Sequence, residues 1–198
     1  MTRIRPATSQ DLPALGRTLA AAFHDDPIWT WLTPDPARYQ RGAPRFFETD
    51  ARLKLGSPHQ VLVDDDVTGA AVWLAPDHWK GTLREALKIA RPATSIFGSR
   101  FAWGIKTLLA IEKNHPVDPP HWFLSVIGTH PDHQGKGIGN ALIEAVTDRC
   151  DDEGLPAYLE SSKEENVSYY ARHGFEVTQE LAMPGSCPPV WLMWREPR

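Results

Sequence analysis

Cysteine is scarce in this chain: Cys150 and Cys187 are its two in 198 residues. That is too few for a disulfide framework, and reduced thiols are expected. Long apolar runs are missing as well. None approaches the roughly 20 residues of a membrane span, and residues 1–11 lack the apolar core of a signal peptide. Positive charge is not in excess, with Lys plus Arg at 21 against Asp plus Glu at 25 and a net charge of −4. A general attraction to nucleic acid or to anionic lipid is therefore not expected. No internal repeat, linker or second-domain boundary is visible. Residues 1–198 are expected to form one cytoplasmic domain, a monomer or homodimer, with neither nucleic acid nor membrane as partner. Hydrophobic residues at 41% and charged residues at 23% suit a packed core.

Two phosphate-binding patterns are also missing, and their absence sharpens what is present. Residues 122–146, WFLSVIGTHPDHQGKGIGNALIEAV, read as a strand, a glycine-rich turn and an amphipathic helix. Residues 122–127 have the aromatic and β-branched composition of a buried strand. Ile138, Leu142, Ile143 and Val146 recur at helical spacing. Between them lies Gln134-Gly135-Lys136-Gly137-Ile138-Gly139. A nucleotide P-loop needs Ser or Thr after Gly-Lys, and Gly137 stands there. A dinucleotide fingerprint starting at Gly135 needs glycine at 140, where Asn140 stands. Glycines at alternate positions still leave a run of backbone N–H groups uncovered at a helix N-terminus, which favours an anion.

Along the chain, residues 3–6 predict a short strand. Thr8 or Ser9 is the expected cap of a helix with Asp11 in its first turn, and Leu12, Leu15, Leu19, Ala22 and Phe23 form its apolar stripe. Trp29 and Trp31 fall in an expected loop, and a second helix is expected over 37–55. Residues 61–63 and 69–74 predict a hairpin joined by Asp64-Asp65-Asp66. Residues 77–111 read as mostly helical, with a break at Pro92 or Gly98. Short strands over 157–160, 175–177 and 190–194 and a helix over 166–173, stopped by Gly174, complete the order. Together these predict a mixed α/β sheet.

Gln134, Gly137 and Gly139 match the Gln/Arg-x-x-Gly-x-Gly/Ala signature of the GCN5-related N-acetyltransferases, the GNAT family. A second block, Tyr158-Leu159-Glu160-Ser161, then Asn166, then residues 170–175, resembles that family in content and spacing. The resemblance implies the GNAT fold, an α/β architecture with a mixed central sheet of about seven strands flanked by helices. It also implies acetyl-CoA as co-substrate. The pyrophosphate would then lie on Gln134, Gly135, Lys136, Gly137, Ile138 and Gly139, and the pantetheine arm along Val126, Ile127, Gly128 and Thr129, bonded to main chain. Tyr170 occupies the position of the family's general acid, and Asn166 the position that contacts the pantetheine arm or caps the following helix.

Acetyl transfer to an amine also needs a proton acceptor. Glu160, on the short strand beside the central one, is the leading candidate, and its structural alternative is a carboxylate capping the turn at Ser161. His121 and Ser125, which share a strand face by period two, are further candidates for the base, as are Glu112 and His115. His130 and His133 have a spacing that could pair on a metal, but they lack a companion set beyond Asp132, and no metal is expected. Trp73, Trp122, Trp191 and Trp194 are expected in the core, and Trp29 and Trp31 either wall the acceptor site or pack locally. The expected activity is acetyl-CoA-dependent N-acetylation of a small-molecule amine, including aminonucleoside-like and other antibiotic amines. The alternatives are a CoA-binding sensor module without turnover and an acetyltransferase acting on proteins or peptides.

Overall fold

The computed structural model describes residues 2–56 and 58–198. Its centre is one seven-stranded sheet made of β1 (Ile4–Pro6), β2 (Gln60–Asp64), β3 (Gly69–Leu74), β4 (Trp122–Thr129), β5 (Ala157–Ser161), β6 (Glu176–Leu181) and β7 (Val190–Arg195), in the order β1-β2-β3-β4-β5-β7-β6. Every neighbouring pair is antiparallel except β4 and β5, which run parallel. On one face lie α1 (Leu12–Ala22), α2 (Pro27–Leu32), α3 (Pro36–Lys54) and α4 (Leu83–Phe97). On the other lie α6 (Ile138–Glu153) and α7 (Val167–Arg172). The helix α5 (Phe101–Asn114) packs with the β6–β7 hairpin.

The period-two rule places these layers. Along β3, Ala70, Val72 and Leu74 enter the core under α1 and α3, while Ala71 and Trp73 enter the core under α6. Both faces of β3 are covered, so all six of its residues are buried. Trp73 and Trp122 are core residues, as expected, whereas Trp191 and Trp194 are half-buried. On β4 the alternation is interrupted. Val72 pairs with Val126 and Trp73 with Leu124, so Ser125 is an extra residue in the strand. Phe123 and Val126 consequently both reach the α1 side, and Leu124 and Ile127 the α6 side.

Several local expectations need correction. The Asp11 side chain does not serve the first turn of α1. It turns back to accept from the Thr8 amide at 2.7 Å, the Thr8 hydroxyl at 2.8 Å and Arg5 at 2.8 and 2.9 Å. Residues 27–32, expected as a loop, form α2, because Asp26 caps the Ile28 and Trp29 amides at 2.9 and 3.0 Å and Pro27 fits the first turn. The break after α4 falls at Gly98, with φ +53, and the helix continues through Pro92. Thr82 and Glu85 form a capping box that starts α4, so residues 77–82 lie outside it. No helix among the described residues is long and apolar enough to cross a membrane.

Candidate active site

The site begins where the sheet opens. Parallel pairing between β4 and β5 covers Trp122–Ala157, Phe123–Tyr158 and Leu124–Leu159, while β4 continues to Thr129 and β5 to Ser161. The strands splay past that last rung, and a cleft of about 550 Å³ fills the gap. Its walls include residues 124–129 of β4 and residues 159–163 of β5 and the turn after it, with the loop before α6 at one end. A roomier groove of about 1040 Å³ between α3 and α4 is lined by Arg45, Arg52, Arg84, Lys88 and Arg91 with Glu85. It offers charge but neither a strand edge nor a tyrosine, so the chemistry favours the smaller cleft.

The glycine-rich loop has the geometry its composition predicts. Gly135 and Gly137 sit at φ +74 and +80, the left-handed region that other residues enter at a cost. Helix α6 starts at Ile138, and its first main-chain bond runs from the Ala141 amide to the Gly137 carbonyl at 3.1 Å. Among the described residues, no acceptor meets the N–H groups of residues 135–140. These uncovered amides and the helix dipole concentrate positive potential at this end of α6, which favours an anion. Gln134, Gly135, Gly137, Ile138 and Gly139 line the cleft, joined by Asn140 and His133. Lys136 does not line it. Its ammonium is exposed and donates to the Asp132 carbonyl at 3.3 Å. The Gln134 amide donates to the Thr129 carbonyl at 3.4 Å and so ties the loop to the end of β4.

Val126, Ile127, Gly128 and Thr129, which the family resemblance singled out, all line the cleft. Gly128 has a second reason to be glycine: a Cβ there would lie 2.6 Å from the Ala22 Cβ of α1. Asn166 lines the cleft too and makes no side-chain cap to α7, so the capping alternative is not realised. Gly174, at φ +89, follows α7 at the expected stop.

Tyr170 lines the cleft and is 8% exposed. Burial pushes its phenol well above the ordinary tyrosine range. Its neighbour Tyr169 is half-buried and also lines the cleft, with its pKa pushed up to about 12 by burial. A Cβ on Gly139 would fall 2.6 Å from the Tyr169 hydroxyl.

Glu160 faces the cleft with 13% of its side chain exposed, and its Oε1 lies 3.4 Å from His115 Nδ1. It does not cap the turn at Ser161, where the serine hydroxyl donates to the Lys163 carbonyl at 2.9 Å. His115 Nε2 lies 3.1 Å from His121 Nε2, so three of the candidate bases form one chain of contacts. Only Glu160 and Ser125 of the five candidates line the cleft. His121 and Ser125 do not meet, since four residues along a strand span about 13 Å. Glu112 is exposed on α5 and stands apart.

Several cleft residues were not singled out from the sequence. Asp26 is 2% exposed, caps α2 and accepts from the Ser162 hydroxyl. Burial raises its carboxyl above the ordinary aspartate value. Lys163 pairs with Asp25 at 2.5 Å, so two contacts close the α1–α2 link against the turn after β5. Arg172 adds a further cation to the cleft. The Asp26-Pro27 dipeptide is a capping signal that could have placed Asp26 at a helix start. Trp29 is packed against Phe46, Phe47 and Phe97, and Trp31 against Trp103, and neither tryptophan lines this cleft. His130 and His133 lie with ring centroids 5.9 Å apart, and the described residues contain no group of three or more metal-ligating side chains.

The model of the acetyltransferase (GNAT) family matches residues 21–175, a span that runs from the end of α1 through both motif blocks. The chain belongs to the GNAT family. It is an acyltransferase with the GNAT fold. An uncharacterised N-acetyltransferase of Schizosaccharomyces pombe is 31% identical over 96% of this chain and 81% of its own length. A Corynebacterium glutamicum structure described as histone acetyltransferase HPA2 and related acetyltransferase superposes with a TM-score of 0.75 at 25% identity, covering 100% of this chain and 98% of its own. The polyamine N-acetyltransferase of Drosophila melanogaster shares the fold, with a TM-score of 0.61 at 16% identity over 99% of this chain and 100% of its own.

Proposed function

We propose that this GNAT protein moves the acetyl group of acetyl-CoA directly to the amine of a small molecule. The observation that carries the reading is the single cleft at the β4–β5 splay, where an uncovered run of amides, a strand edge, a buried tyrosine and a carboxylate converge. The amides of residues 135–140 would take the pyrophosphate, with Lys163 and Arg172 adding positive charge. Residues 126–129 and Asn166 would hold the pantetheine arm. A main-chain N–H on that edge would polarise the thioester carbonyl.

The amine nitrogen attacks the thioester carbon; a C–N bond forms, the C–S bond breaks and the electron pair leaves with sulfur. The acceptor's proton passes to Glu160. Coenzyme A departs as a thiolate of pKa about 8.5 and takes the Tyr170 hydroxyl proton. An ordinary tyrosine holds its proton at neutral pH; burial, which disfavours the phenolate, makes this donation harder. Neither cysteine lines the cleft: Cys150 is fully buried in the core, its thiol pushed up to about 12, and Cys187 packs beside the β6–β7 hairpin. The lack of a cysteine in the cleft supports direct transfer without a thiol-bound acetyl-enzyme.

For the acceptor, residues 17–23, 122–124, 131–137 and 175–178 resemble puromycin N-acetyltransferase, which supports an antibiotic-like or aminonucleoside-like amine. A protein acceptor is the second reading, favoured by the word histone in the description of the Corynebacterium relative. A thiol-release screen across aminonucleosides, aminoglycosides, polyamines, amino acids and short peptides tests both. Turnover with a small amine supports the first reading, turnover with peptides alone supports the second, and none across the panel contradicts both.

A further inference from the structure

Glu160 is held by a ring that is itself clamped. His115 is 5% exposed and stacks on Trp79 with ring centroids 3.9 Å apart and planes at 22°. The rings of Phe123 and Tyr158 meet it edge-on at 4.8 and 4.7 Å. Its Nδ1 faces Glu160 Oε1 at 3.4 Å and its Nε2 faces His121 Nε2 at 3.1 Å. His121 is 3% exposed and sets its Nδ1 2.8 Å from the Pro119 carbonyl oxygen.

Hydrogen counting along this chain gives an uneven result. A carbonyl oxygen only accepts, so His121 Nδ1 carries a hydrogen. A neutral His121 is then bare at Nε2, and His115 Nε2 must donate to it. A neutral His115 is in turn bare at Nδ1, where it meets a carboxylate oxygen that also only accepts when ionised. Two neutral rings supply two N–H groups for three contacts, and one more proton is needed to close the chain. Burial lowers the pKa of His121, which keeps that ring neutral and holds the first step of the count in place.

We propose that His115, backed by His121, is the positioning residue of Glu160, and that one proton beyond those of the neutral rings is shared between His115 Nδ1 and Glu160 Oε1. That shared proton ties one carboxylate oxygen and leaves the other to receive the acceptor's proton when its N–H bond breaks. The inference rests on the reading of Glu160 as the base. Other ionisable groups face the unit. The Tyr158 hydroxyl is buried beside Glu160, and burial, the Glu160 charge and a hydrogen bond toward that carboxylate push its pKa up. Asp77 acts on His121 through its charge, and the uncharged Trp194 ring lies 5.0 Å from His121.

Nitrogen-15 spectra of the imidazoles in the full-length protein test the count. The expected result is a hydrogen on His121 Nδ1, a hydrogen on His115 Nε2 and a hydrogen-bonded His115 Nδ1. A His115 Nδ1 with the shift of a bare, unbonded nitrogen overturns the proposal. Two conservative variants test the positioning role. Asn in His115→Asn keeps an N–H near the Nδ1 place, and Gln in His115→Gln keeps one only near the Nε2 place. The expected loss in kcat is about ten- to a hundred-fold for His115→Gln and clearly smaller for His115→Asn, with acetyl-CoA KM unchanged in both. Equal losses that track the fall in Tm mark a packing role and overturn it. Full activity in Glu160→Gln would instead remove the base reading, and the spectra would still decide the proton count by themselves.

Discussion

Leu124 faces Leu159 on the last rung of the β4–β5 ladder, and the next residue on β4, Ser125, is the extra residue in its ladder with β3. One strand therefore loses a neighbour on one side where it gains a residue on the other. The bulge keeps β4 paired with β3 while its far end turns away from β5. The cleft is thus a property of strand pairing, and the side chains only furnish it.

The loop gives the first prediction. Gly137→Val places a branched side chain at φ +80, where backbone strain of about 1–3 kcal/mol is expected, and it obstructs backbone approach by a phosphate. Acetyl-CoA affinity measured by calorimetry should fall at least about tenfold, 1.4 kcal/mol. Gly139→Ala should weaken binding less, because its close neighbour is the movable end of Tyr169. Lys136→Ala should be nearly silent, since that ammonium points to the Asp132 carbonyl.

Tyr170→Phe deletes a hydroxyl and keeps the ring that packs against Phe175 with centroids 6.3 Å apart. Acetyl-CoA should bind nearly as in the parent protein while kcat falls by roughly 10²–10⁴, the usual worth of a general acid. An unchanged kcat would return Tyr170 to a packing role.

Glu160→Gln should separate from Tyr170→Phe by pH. An aliphatic ammonium has a pKa of about 10, so free amine is scarce at low pH and the base is needed most there. The variant's deficit in kcat/KM should shrink as pH rises toward that value. A deficit that stays constant with pH would make Glu160 a group that orients the acceptor.

Stability carries its own pH signature at the C-terminus. Arg195, 4% exposed, grips Asp151 through two nitrogens at 2.8 and 2.6 Å and holds that carboxyl below the ordinary aspartate value. A depressed folded-state pKa contributes stability above the unfolded value, and that contribution is lost as pH falls through the folded one. Asp151→Asn should cost about 1–3 kcal/mol at pH 7 by denaturant melts. The difference from the parent should begin to narrow below pH about 4, the unfolded aspartate value, and close once pH falls below the depressed folded value.

Much of the frame was legible because it is periodic or local. The continuous apolar run of β3, the amphipathic stripe of α6 and the glycines of the loop each announce themselves within a few residues. Tyr170 and Asn166 were placed by family resemblance, since nothing in their immediate neighbours distinguishes a cleft tyrosine from a packed one. The short α2 was missed because six residues are too few for a helical period, and its cap Asp26 was passed over with it. Pro92 was a tempting break, yet the chain turns at Gly98, where a positive φ is needed. From the sequence alone His115 and His121 read as rivals of Glu160, and the fold makes them its neighbours. His115 caps the end of α5, 45 residues from Glu160, and the two meet only once α5 and the loop after it pack against the paired β4 and β5.

Direct transfer within one cleft is tested by a single rapid-mixing experiment. The protein is mixed with acetyl-CoA, with and without an amine that scores in the screen, and free thiol and acetylated amine are followed together. One thiol and one N-acetylated amine should appear per turnover, with no thiol released until the amine is present. A stoichiometric burst of thiol without the amine would show an acetyl-enzyme and contradict the account.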